Sequence, residues 1–207
     1  MIKALLLIFD TAATWERISQ AQRRVGFILV CFLLPLLGIT SVVEGFGLVH
    51  WGRYRGEVPR MRIFSVPEAA IFEGVQVALW LLIIFTSAKV LKSVCGTFHG
   101  RHNYTQAFAT VAYGLSPLFL FHLLDVFPAM VPWVSWALGI ILSIAVLYQG
   151  VPRMMEPDPP HAFGLYLMSA LTVLLATGLL RFVSAWFLQG KFAKLEALLS
   201  GLGPLAK

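Results

Sequence analysis

The chain has 207 residues, of which 58% are hydrophobic and only 13% charged, with a mean hydropathy of +0.81. That excludes an ordinary soluble domain, which is about 45–50% apolar and about 25% charged. The net charge of +6 does not indicate nucleic acid, because the Lys and Arg residues stand at the ends of apolar runs instead of forming a patch. They read as topology signals and lipid-headgroup contacts.

A spanning helix takes about 20 apolar residues. Five such runs nearly use up the sequence, which predicts one integral membrane domain over residues 1–207, an all-α bundle of five spans. The N-terminal segment is a poor signal peptide: Lys3 is followed by a short apolar core at residues 4–9 and no small-residue cleavage site. Trp15, Ile18 and the pair Arg23-Arg24 predict an amphipathic helix at headgroup level.

Span one is expected over residues 25–49, kinked by Pro35 and carrying Glu44 near its far end. A basic loop follows with Arg53, Arg55, Arg60 and Arg62, punctuated by Gly52, Gly56 and Pro59. Pro67-Glu68 reads as the start of span two, expected over 69–91, with Glu73 and Gln76 early and Lys89 and Lys92 able to snorkel at its end.

Residues 96–117 open as a polar loop holding His99, Arg101 and His102, then enter an apolar run without losing polar residues. Within span three, expected over 104–126, Gln106, Thr110, Tyr113 and Pro117 fall at i, i+4, i+7 and i+11, on one helix face. Lipid would reject that face, so it should pack on other helices. The span ends in His122 and Asp125.

Span four, expected over 132–148, has Ser135, Gly139 and Ser143 as a small-residue ridge and Trp133 and Trp136 as an aromatic belt. The run from Gln149 to His161 contains Pro152, Pro157, Pro159 and Pro160 and reads as a stiff surface loop. Span five, 162–188, contains Arg181, and apolar Phe192, Leu195 and Leu199 before Gly201 predict a second interfacial helix at the C-terminus.

Five-span parity puts the N-terminus, the His99 loop and the proline-rich run on one side. Both sides carry comparable numbers of Lys and Arg. The loop after span three, free of Lys and Arg, leans toward a cytoplasmic N-terminus. Parity also brings Glu44, Glu73, His122, Asp125 and Arg181 to the other side at similar depth. Unpaired, each would cost on the order of 2.5–3.5 kcal/mol at the bilayer centre. They are therefore expected to pair as an intramembrane charge layer tying spans one, two, three and five.

Gly100-Arg101-His102-Asn103-Tyr104-Thr105-Gln106, followed by Val111-Ala112-Tyr113 and Pro117, resembles the Yip-one domain family of small membrane proteins. Some of these interact with Rab-type GTPases in eukaryotic trafficking. Tyr148-Gln149-Gly150-Val151-Pro152-Arg153-Met154-Met155 resembles that family's Tyr-x-Gly-x-Pro-x-x-Met turn, and Thr14-Trp15-Glu16-Arg17-Ile18 its lead-in. The family's frequent Gly-Gly pair is Cys95-Gly96 or His99-Gly100 here, and Asp10-Thr11 replaces the lead-in's proline. The resemblance implies five spans with the N-terminus in the cytoplasm. It gives structural weight to Gln106, Tyr113, Pro117, Tyr148, Gly150 and Pro152. The short N-terminal region fits a prokaryotic-type member in a bacterial inner membrane.

Chemistry is sparse. Cys95, His99 and His102, with His161 on the same side, offer soft-metal ligands, but loop histidines beside arginine more often meet lipid phosphates, so no metal or cofactor is assigned. Cys31 and Cys95 make no disulfide framework. Ser116 and His122 lie on opposed faces of one helix, against a nucleophile–base pair, and no nucleotide-binding or zinc-protease motif appears. The expected function is a non-enzymatic membrane-organising or adaptor protein. Its partners would be membrane lipid, proteins at the cytoplasmic face and a second copy of itself. The alternative is a small transporter or channel with a path along the broken third span, lined by Gln76, Gln106 and Tyr113.

Overall fold

The structure is a computed structural model that describes residues 2–55, 60–98, 100 and 103–188. His99, His102 and the expected C-terminal helix lie outside the described residues. Five helices are long and apolar enough to cross a membrane: Val25–His50, Val66–Thr97, Tyr104–Val126, Pro132–Met155 and Pro159–Leu188, spans one to five. The protein is an all-α transmembrane bundle.

Span three is its axis. Of its apolar window 78% is buried, against 33–44% for the other four. The small and polar residues that make it unfit for lipid are therefore covered on every side, not on one face alone: Ala107, Phe108, Thr110, Ala112 and Phe119 are all buried. The outer spans turn Val42, Ile71, Leu175 and Leu179 outward, an apolar surface suited to lipid.

Prolines shape the spans in three different ways. Pro35 has no N–H to give to the turn before it, and the helix widens there: residues Leu29–Leu33 form a π turn in which the Leu34 N–H reaches Leu29 O. Span three breaks at Leu115 into Tyr104–Gly114 and Ser116–His122, with Pro117 in the first turn of the second piece, and tightens to a 3-10 turn at Leu123–Val126. The break is closed by serines, since Ser116 Oγ donates to Tyr113 O at 2.6 Å and Leu118 N–H donates to Ser143 Oγ at 3.2 Å.

Pro152 corrects the reading of the proline-rich run. Span four does not stop at Tyr148 but continues as helix to Met155, with Pro152 inside it. One proline in the last turn removes a single ladder bond, and membrane helices tolerate that where neighbours and side chains serve the freed groups. The Arg153 guanidinium donates to Gln149 O in that turn. The helix ends at Glu156, in the left-handed conformation.

Span two also runs longer than expected, from Val66 to Thr97. Ser65 starts it with a capping box, accepting from Glu68 N–H while the Glu68 carboxylate accepts from Ser65 N–H at 2.9 Å. No breaker follows Lys92 until Gly96, so the lysines do not mark its end.

The basic loop contains an antiparallel pair, β1 (Arg53–Arg55) and β2 (Arg60–Arg62). The N-terminal segment forms two helices, α1 (Ile2–Phe9) and α2 (Thr11–Ala21). Their apolar stripe goes largely to protein: Ala4, Leu7, Trp15 and Ile18 are buried, with α1 on the second half of span three and α2 on span four.

Candidate functional site

Two polar constellations stand at opposite ends of span three. The first begins with Asp125, 2% exposed. The 3-10 turn carries its carboxylate toward span five, where the Arg181 guanidinium binds Oδ2 and also donates through Nε to Pro132 O at 3.0 Å. Ser135 Oγ, on the small-residue ridge, donates to Asp125 Oδ1 at 2.6 Å. One turn back, His122 Nδ1 lies 3.0 Å from Asp125 Oδ2, and its Nε2 lies 2.7 Å from Glu44 Oε2 of span one. Gln76 of span two donates to Glu44 Oε2 at 2.8 Å, with the same nitrogen 2.9 Å from His122 Nε2.

Of the five ionisable residues expected in a layer, Glu44, His122, Asp125 and Arg181 therefore form one contiguous network. Glu73 is buried beside it on span two. The Ser41 hydroxyl is the donor nearest its carboxylate, while Glu44 Oε1 and Gln76 Oε1 lack a hydrogen-bond partner among the described residues.

Two members escaped the sequence reading. Ser135 was legible only as a small residue. Arg53 was read as one of several loop arginines, yet it is 6% exposed and donates to the main-chain oxygens of Asp125 and Met130, the latter at 3.2 Å. The strand explains it: successive side chains alternate, so Tyr54 points out and Arg53 points in.

The second constellation is a cleft of about 510 Å³ at the N-terminal end, between α2 and the start of span three. Arg23, Arg24, Asn103, Thr105 and Gln106 line it together with apolar Ile18, Ile28 and Met154 and the ring of Tyr113. Gln106 Oε1 is buried there without a hydrogen-bond partner.

A family model described as the Yip1 domain matches residues 5–181. The chain belongs to this family. No curated protein and no solved structure matches it.

Several of the residues that carry the motifs meet where α2 packs on span four. Trp15 Nε1 donates to Val146 O at 3.0 Å. A side chain on Gly150 would overlap its indole, so glycine is required there by close approach. Tyr113 stands edge-on to Trp15 at 6.5 Å and against Phe32 at 4.4 Å between ring centroids. Pro117 is buried at the helix break. Tyr148, by contrast, is exposed and meets Tyr166 edge-on at 5.1 Å.

Of the soft-ligand residues, Cys95 is buried and turned toward Met155 O at 4.0 Å, while the His161 ring faces Phe98 at 6.2 Å.

Proposed function

We propose that this Yip1-domain protein is a non-enzymatic membrane-organising adaptor. It binds anionic lipid, and through it partner proteins, at the N-terminal face, which in this reading looks into the cytoplasm of a bacterial inner membrane. The cleft between α2 and span three carries the proposal. Its mouth offers Arg23 and Arg24 to a phosphate, a match of guanidinium donors to phosphate oxygens. Its inner wall, with Ile18, Ile28 and Met154, offers an apolar bed to the first carbons of an acyl chain.

The transporter alternative needs Gln76, Gln106 and Tyr113 along one path. Gln106 and Tyr113 line the cleft, whereas Gln76 belongs to the opposite network. Trp80 and Phe119, buried and in edge contact at 5.0 Å, pack directly on the cleft side of His122.

The test is lipid retention. Purified protein in nanodiscs of mixed neutral and anionic phospholipid is stripped with detergent, and retained lipid is measured by native mass spectrometry. Arg23→Ala with Arg24→Ala should reduce retention of anionic lipid roughly ten-fold or more, taking about 1 kcal/mol per arginine. Unchanged retention removes the cleft from the function.

A further inference from the structure

We propose that Glu44, Glu73, Gln76 and His122 form a binding site for one divalent transition-metal ion inside the bundle, with Asp125 as the carboxylate that orients the histidine. The site is separate from the cleft and at the other end of span three.

Three observations carry it. The first is the histidine's setting. His122 Nδ1 lies 3.0 Å from Asp125 Oδ2, which fixes the ring and leaves Nε2 directed at Glu44 Oε2, 2.7 Å away. A carboxylate behind one ring nitrogen is the arrangement that metal-binding histidines use; the other nitrogen here faces Glu44 and the Gln76 amide, which would part to take the ion as ligands. One donor atom from each of Glu44, His122 and Asp125 lies within 4.8 Å of the others.

The second is the set of acceptors without donors. Glu44 is 1% exposed, Gln76 3% and Glu73 7%, yet Glu44 Oε1 and Gln76 Oε1 lack a hydrogen-bond partner, and the Glu73 carboxylate has no donor but the nearby Ser41 hydroxyl among the described residues. Glu73 and Gln76 share a face of span two at i and i+3. The Glu73 Cγ lies 3.4 Å from where a side chain on Gly45, next to Glu44, would begin. Turning the Gln76 amide over would put its oxygen beside Glu44 Oε2 and His122 Nε2. Buried acceptors such as Glu44 Oε1 and Gln76 Oε1, left without a donor among the described residues, call for a cation.

The third is charge. Arg181 is committed to Asp125 and Pro132 O, and Arg53 to the main-chain oxygens of Asp125 and Met130. Glu44 and Glu73 remain, facing a single imidazole. A divalent cation bound among them balances both. The mixed imidazole and carboxylate donors select a first-row transition metal over magnesium or calcium, which take oxygen alone.

Protein purified in detergent is freed of metal with a chelator and titrated with Co²⁺, read by elemental stoichiometry, visible ligand-field absorption and thermal unfolding. One Co²⁺ should bind per chain, with ligand-field bands and a raised Tm, and a tenfold excess of Mg²⁺ should not displace it. Glu73→Gln should weaken binding at least tenfold while the metal-free protein keeps its Tm, and His122→Gln should abolish the bands. The pair His99→Ala and His102→Ala should leave binding intact. Absence of saturable Co²⁺ binding overturns the proposal and leaves His122 as a hydrogen-bonded link between Glu44 and Asp125. Undiminished binding in folded Glu73→Gln, or loss of binding in the loop-histidine variant, overturns it as well.

Discussion

Trp15 and Val146 are joined by a hydrogen bond of 3.0 Å across 131 residues of chain, and Gly150, one turn further along span four, makes room for the indole. This contact fastens the N-terminal helices to the bundle. Gly150→Ala should force the ring away, and overpacking of this kind typically costs 1–3 kcal/mol. Trp15→Phe keeps most of the packing but loses the donor, leaving a milder loss of about 1 kcal/mol. Thermal unfolding in detergent checks both. Tryptophan quenching should rise in Gly150→Ala, and an unaltered Tm there would mean that α2 is not docked by this residue.

Gly139 is the second close approach. A methyl group there would stand 2.8 Å from the Leu118 Cα and 3.2 Å from the Phe121 Cβ. Gly139→Leu is expected to destabilise by at least the 1–3 kcal/mol usual for overpacking. Ser143→Ala, a smaller change one turn away, strands the Leu118 N–H at the helix break, and a buried donor left unsatisfied costs about 1–3 kcal/mol. Should Gly139→Leu leave detergent stability untouched, the ridge cannot be the contact between spans three and four.

The spans were legible because lipid imposes a simple length rule, and the bounds of spans one, three and five follow from it closely. Local breaker rules did less well. Pro152 suggested a loop, but a proline in a helix's last turn removes one bond and leaves the rest intact. The charge network was legible because burying ions unpaired is costly, so position along alternating spans was enough to group Glu44, His122, Asp125 and Arg181. Arg53 was hidden by a short strand pairing that composition does not announce. The docking of α1 and α2 was hidden for another reason: the same amphipathic stripe suits lipid or protein, and only the shape of span four around Gly150 decides between them.

Topology is open to direct measurement. Asn103 and Asp158 are exposed at the N-terminal end of the bundle, one before span three and one before span five. In a background with Cys31 and Cys95 replaced by alanine, Asn103→Cys and Asp158→Cys should react with a membrane-impermeant maleimide under the same conditions that expose an N-terminal tag. Labelling of the two from opposite sides would contradict five spans.

The pair of Arg181 and Asp125 makes the sharpest stability prediction. Both are almost wholly buried, and Asp125 Oδ2 serves both the guanidinium and His122 Nδ1. Removing one member of a buried pair leaves the other charge uncompensated, which costs about 3–5 kcal/mol. Arg181→Leu should therefore be severely destabilising, and Asp125→Asn less so, because asparagine still accepts from Ser135 at the position of Oδ1. Together the two should cost clearly less than their sum, since neutralising Asp125 removes the charge that Arg181→Leu strands. Arg181→Leu with Glu73→Gln should come closer to additive, because Glu73 makes no ion pair with Arg181 among the described residues. A double-mutant cycle from denaturant or thermal unfolding measures the difference. Strict additivity of Arg181→Leu and Asp125→Asn would mean that each residue reaches the headgroups alone and that no coupled layer joins spans three and five.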